Sequence, residues 1–148
     1  ALNNGIAYSI ASDHAPHTLE EKNNTYLKAP SGMPGVQHIL PLMLEFYFTK
    51  EMKLQTIVEK MCHAPARLFQ IENRGFIKED FQADLVLLDL DKTSSIAKDS
   101  LYYQCRWSPF EGMLLHSSIE KTFVNGEMVY DQGDFAPKPS GKPLYFKR

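Results

Sequence analysis

The apolar residues of this chain change their spacing once, near residue 73, and that change limits what the chain can build. Val36, Ile39, Leu40, Met43, Leu44, Tyr47 and Phe48 recur at helical intervals and form one stripe. Leu54, Ile57, Val58, Met61 and Cys62 repeat the spacing and predict a second helix. "HAPARLF" predicts a third, short helix with Pro65 in its first turn. Pro41 lies off the first stripe and predicts a kink or an irregular opening turn. Beyond residue 73 the apolar residues come in short runs instead. "GFIKEDFQADLVLLDLD" predicts two β segments, the second a buried strand. "IEKTFVNGEMVYDQG" predicts a hairpin of 119–124 and 127–130, joined at Asn125-Gly126, the strongest two-residue turn signal. The tail "FAPKPSGKPLYFKR" reads as an extended strap. A boundary is therefore expected between residues 72 and 73.

Ahead of the helices stands "GIAYSIAS", residues 5–12, whose weak two-residue alternation predicts a strand buried on both sides. It runs into "DHAPHT", and Thr18 with Glu21 forms a capping-box pattern that starts a helical turn. "APSGMPG", residues 29–35, must bend sharply and bring backbone close to a neighbour. A carboxylate at a strand tip is rigidly mounted, which suits a metal ligand or a general base, so Asp13 is the leading candidate for chemistry. An aspartate that merely caps a loop has the same spacing. His17, past Pro16, can fold back over the strand end, although a lone loop histidine is ordinarily a surface residue. Glu20, Glu21 and Lys22 read as a surface helical turn.

With 148 residues the chain can form one ordinary domain or two small pieces. A net charge of −2 with scattered basic residues argues against nucleic acid or an acidic membrane as partner. The longest apolar stretch, "ILPLMLEFYF", is too short for a bilayer. Cys62 and Cys105 stand far apart in no metal-like spacing, which predicts free thiols in a reducing, cytoplasmic setting, with a single disulfide as the alternative. The sequence opens on Ala1 rather than Met, as a processed or trimmed chain or a portion of a longer one would.

Taken in order, "SDHAPHTLEEK", "APSGMPGVQ", "HAPARLFQIENRGFIKEDFQADLVLLD", "WSPFEG" and "KTFVNGEMVY" resemble the C-terminal part of dihydroorotases, in the metal-dependent amidohydrolase superfamily. The DHAPH string with its following EEK is specific to dihydroorotases and close relatives, whereas the ADLVLLD segment is superfamily-wide. The resemblance implies an α/β fold: residues 1–72 as the last strand and flanking helices of a TIM-barrel hydrolase, residues 73–148 as a small β-sandwich-like domain with an extended tail. It implies a zinc enzyme, binuclear when intact, that interconverts N-carbamoyl-L-aspartate and dihydroorotate in pyrimidine synthesis. A homo-oligomer is implied as well, with the remainder of the barrel as a structural partner.

By the same resemblance Asp13 is both metal ligand and proton carrier, taking the proton of a zinc-bound hydroxide and returning it to the departing amide nitrogen. His17 matches a histidine that contacts the substrate carboxylate. Ser31 and Gly32 match a loop whose backbone holds the substrate ring. His14 stands behind these residues and is not a ligand. His38, His63 and His116 receive no role in the chemistry, and His63 reads as a helix-cap variant. The family's His-x-His pair is absent from this sequence, and no earlier barrel strands precede residue 5. The expectation is thus a segment that carries one metal ligand and is inactive alone. Two other readings stay open: an allantoinase or hydantoinase-type cyclic amidohydrolase, and a non-catalytic dihydroorotase-like structural module.

Overall fold

In the computed structural model, which describes residues 1–138 and 140–147, the first ten residues depart from expectation. Residues 5–12 form no strand, and Ile6 and Tyr8 are exposed. A strand exists through hydrogen bonds to a neighbouring strand, and this segment finds a helix instead. The Ile10 N–H donates to the Lys60 carbonyl (3.0 Å), and Lys60 Nζ donates back to the Ala7 carbonyl (2.6 Å). Among the described residues, the β-type pairing nearby is a parallel bridge between His14 and Met33.

Helix α1 (Leu19–Lys22) begins with the expected capping box: Thr18 Oγ1 accepts from the Glu21 N–H, and the Glu21 carboxylate accepts from the Thr18 N–H. Helix α2 (Ile39–Phe48) starts three residues later than the apolar stripe, because residues 36–38 form a turn closed on the Gly35 carbonyl. Pro41 therefore falls in the first helical turn, where a missing N–H leaves no bond unmade. Contrary to expectation it is buried, while Val36 is left exposed.

The second and third helices are one continuous coil. Helix α3 (Leu54–Val58) passes through a widened π-turn (Glu59–His63) directly into α4 (Ala64–Leu68). Pro65 explains the widening. Its ring would collide with the carbonyl four residues back, and it has no N–H for the ladder. The coil opens just before it, with the Ala64 N–H reaching five residues back to the Glu59 carbonyl. His63 makes no capping bond, which corrects its expected role. Its ring stacks on Phe76 instead, 4.3 Å between centroids and 8° from parallel. Leu44 and Ile57 meet at the centre of the core with Met43, and Leu88 and Leu90 from beyond residue 73 pack on the same cluster.

After residue 73 the first expected β segment is absent. Residues 75–82 form turns, and Gly75 lies so close to α4 that a Cβ there would sit 2.4 Å from Ala66 Cβ and 2.9 Å from the Cys62 carbonyl oxygen. The sheet proper contains β1 (Leu85–Asp89), β4 (Ser118–Val124), β5 (Glu127–Asp131) and β6 (Asp134–Phe135), antiparallel in the order β1-β4-β5-β6. A two-stranded ribbon, β2 (Ser94–Ser95) with β3 (Leu114–Leu115), stands beside it. The hairpin forms as the sequence predicts, with Asn125 at φ 53° and Gly126 at φ 83°, the left-handed pair that a tight hairpin requires. Its turn is clamped by Arg74, whose Nη2 donates to Asn125 Oδ1, and by Asp84, which accepts the Asn125 N–H.

One expectation for this part is corrected. β1 is an edge strand with Leu85, Val86 and Leu87 exposed rather than buried, because only β4 pairs with it. The β structure is an open four-stranded sheet beside a two-stranded ribbon, and the sheet is not closed into a barrel. The tail returns to pair Phe146 with Ile71 and to give the Tyr145 carbonyl to the Glu72 N–H. Pro139 and Arg148, within the expected strap, lie outside the described residues. No helix among the described residues is long and apolar enough to cross a membrane.

Candidate functional site

Asp13 sits where the extended segment turns toward α1. Its backbone takes the left-handed φ of 45°, uncommon for a residue with a side chain, and its carboxylate is exposed. Two residues on, the chain runs against the 29–35 loop. The Ala15 N–H donates to the Met33 carbonyl (3.1 Å), and the Gly35 N–H donates to His14 Nδ1 (3.1 Å). His14 therefore carries its proton on Nε2 when neutral and ties the two segments together. Gly32 permits this closeness. At φ 107°, a Cβ would lie 2.6 Å from Ala15 Cβ and 2.7 Å from the Ala15 carbonyl oxygen. Pro34 and Gly35 are buried at the base of the loop, while Ser31 is exposed at its tip.

His17 is half-buried, with Nδ1 3.7 Å from Glu21 Oε2. Glu21 is held below the usual carboxylate range by the N–H and then the hydroxyl of Thr18. The His17 carbonyl accepts a 2.6 Å hydrogen bond from Trp107 Nε1, which fixes this residue's backbone from ninety residues away. The four predicted site residues thus lie on two chain segments laced side by side: Asp13 and His17 on one, Ser31 and Gly32 on the other.

Lys22 was expected on the surface and is not fully there. Its side chain is half-buried, and Nζ donates to the Pro30 carbonyl (2.7 Å) and the Gly32 carbonyl (3.0 Å). Neither Lys22 nor Trp107 stood out as a site-holding residue in the sequence, because each acts on a backbone carbonyl, and carbonyls leave no pattern. The other histidines serve the framework. His38 is buried, with its Nδ1 at hydrogen-bond distance from the Tyr103 hydroxyl (3.1 Å), which accepts the Gln37 N–H (3.0 Å). Burial holds the His38 imidazole below its ordinary value and pushes the Tyr103 phenol above its own. His116 Nδ1 lies 2.8 Å from Glu45 Oε2 and joins β3 to α2.

A metal is a separate matter. Among the described residues no three His, Cys, Asp or Glu side chains come together as a metal site needs. These residues by themselves do not fit a zinc ion. What they can offer is one exposed carboxylate, a half-buried imidazole and a preformed loop of backbone donors.

The amidohydrolase family matches residues 1–129. The chain is 38% identical over 138 residues to the dihydroorotase of Pyrococcus furiosus, covering 93% of this chain and 32% of that one. It is 40% identical over 124 residues to the dihydroorotase of Halobacterium salinarum, covering 82% and 29%. Among solved structures, the L-hydantoinase (dihydropyrimidinase) of Arthrobacter aurescens superposes with a TM-score of 0.81 at 32% identity, covering 91% of this chain and 31% of that one. The chain thus spans about a third of the length of the relatives it matches, and its α/β fold is that of a part of these TIM-barrel hydrolases.

Proposed function

This chain belongs to the amidohydrolase family, and on that premise we propose that it supplies the proton-transfer and substrate-holding side of a dihydroorotase active site. The reaction is the reversible ring opening of dihydroorotate to N-carbamoyl-L-aspartate. The observation that carries this reading is the lacing of the DHAPHT-x-EEK segment to the SGMPG loop. It holds the segment that carries Asp13 and His17 alongside the loop that carries Ser31 and Gly32, through main-chain bonds, His14 and Lys22.

In ring opening, Asp13 takes the proton of the oxygen that attacks the ring carbonyl. It then delivers that proton to the ring nitrogen as the carbon–nitrogen bond breaks. An exposed carboxylate on a fixed backbone suits both halves of that exchange. His17 donates a hydrogen bond to the substrate carboxylate, which does not react, and the Ser31–Gly32 backbone holds the ring. Zinc, as the resemblance implies, would supply Lewis-acid activation. Its further ligands would have to come from residues outside this sequence. Two free thiols, Cys62 and Cys105, suit a cytoplasmic enzyme.

A hydantoinase is the second reading, favoured by the likeness to the Arthrobacter L-hydantoinase structure. The two are separated by assaying the full-length polypeptide that carries these residues on dihydroorotate, hydantoin and allantoin, following ring opening by ultraviolet absorbance. Dihydroorotate should be opened with the highest kcat/KM. Asp13→Asn should lower kcat by about 10²–10⁴-fold with the fold unchanged by circular dichroism. A variant that keeps more than a tenth of the wild-type rate removes Asp13 from the mechanism, and a preference for hydantoin removes the dihydroorotase reading.

A further inference from the structure

Lys22 ends a helix of only four residues, beside the exposed Glu20 and Glu21. A lysine there would ordinarily extend into water. Instead its ammonium group turns inward and makes two bonds to main-chain carbonyls on either side of Ser31, those of Pro30 and Gly32. None of the salt bridges found among the described residues uses it, so its charge is directed at the loop alone.

The geometry of the peptide unit says what this does. In a trans peptide the C=O and the following N–H point in opposite directions, and the chain has no cis bonds among the described residues. Holding the Pro30 carbonyl toward α1 therefore turns the Ser31 N–H the other way, away from Lys22. Holding the Gly32 carbonyl fixes the Gly32–Met33 peptide unit in the same manner, so the units on both sides of the Ser31–Gly32 bond are set. Gly32 needs such a restraint more than most residues, since a residue without a side chain has the widest choice of backbone angles. A two-pronged, charge-assisted clamp removes that choice before any substrate arrives.

We propose that Lys22 is a positioning residue for substrate binding, which presets the Ser31–Gly32 backbone so that the Ser31 N–H faces an oxygen of the cyclic substrate. This rests on the dihydroorotase reading above, with the ring seated on that loop. Lysine is chosen over a neutral donor because one ammonium can serve both carbonyls at once, with bonds stronger than those of an amide or hydroxyl.

The test compares Lys22→Met, which keeps the stem and loses the donors, with Lys22→Arg, which keeps the charge, both in the full-length enzyme. Lys22→Met should raise the KM for dihydroorotate roughly tenfold or more while kcat stays within about threefold. Amide hydrogen exchange across residues 29–35 should quicken in the same variant and stay unchanged elsewhere. Lys22→Arg should recover at least half of the lost kcat/KM. An unchanged KM overturns the proposal, whether or not exchange quickens. So does a loss of kcat and KM together, without recovery in the arginine variant. A wild-type enzyme that leaves dihydroorotate untouched overturns the underlying functional reading instead, and the exchange measurement then still reports whether Lys22 clamps the loop.

Discussion

Replacing Gly75 by alanine should destabilise the protein by about 1–5 kcal/mol through two separable costs. The first is conformational. Gly75 has φ +81°, and a left-handed backbone costs an L-residue roughly 1–2 kcal/mol, partly offset by about 0.4–1 kcal/mol from the stiffer unfolded chain. The second is steric. The new methyl would lie 2.4 Å from Ala66 Cβ and 2.9 Å from the Cys62 carbonyl oxygen, both on the coil around the π-turn. Neither can retreat like the end of a long side chain, so overpacking should add about 1–3 kcal/mol. Gly126→Ala isolates the first cost, because Gly126 has φ +83° and nothing within 4 Å of its absent Cβ. Urea denaturation followed by circular dichroism at 25 °C measures both variants against wild type. Gly75→Ala should be the less stable of the two by about 1–3 kcal/mol with an unchanged denaturant slope. If the two variants agree within about 0.5 kcal/mol, close packing of residue 75 on the helical coil is refuted.

Three further outcomes follow from the site and its supports. His17→Ala should raise KM roughly tenfold with kcat little changed, since its proposed contact is to a non-reacting carboxylate; a collapsed kcat at constant KM would recast it as a proton carrier. Trp107→Phe removes the indole donor to the His17 carbonyl and should cost about 0.5–1.5 kcal/mol, read as a roughly two- to tenfold rise in KM; identical kinetics would show that His17 needs no such anchor. His38 is buried with its pKa below the ordinary 6.5, so the unfolded chain binds its proton first. Its contribution to stability is complete above pH 6.5 and is lost as pH falls through the folded-state value. His38→Gln should flatten the stability–pH curve below that point, and a curve of unchanged slope would show that His38 does not titrate on unfolding.

What could be read from the sequence was local. The Thr18–Glu21 capping box and the Asn125-Gly126 turn each depend on residues within a few positions of one another, and both formed as expected. The helical stripe of α2 was legible for the same reason, because a helix makes its hydrogen bonds within itself. Strands do not, and the two strands expected to be buried were misread because of that difference. Residues 5–12 have the composition of a strand but no strand beside them, and β1 has the composition of a central strand but only β4 for a neighbour. The family resemblance of Asp13, His17, Ser31 and Gly32 was likewise visible in the residues. The lacing of the two segments that carry them was not, since it depends on Lys22 and the N–H groups of Ala15 and Gly35 reaching across the chain, while Trp107 grips His17 from ninety residues away. Side-chain identity determined what chemistry this chain can offer. Tertiary contact to backbone carbonyls, which every residue carries alike, decided where that chemistry is held.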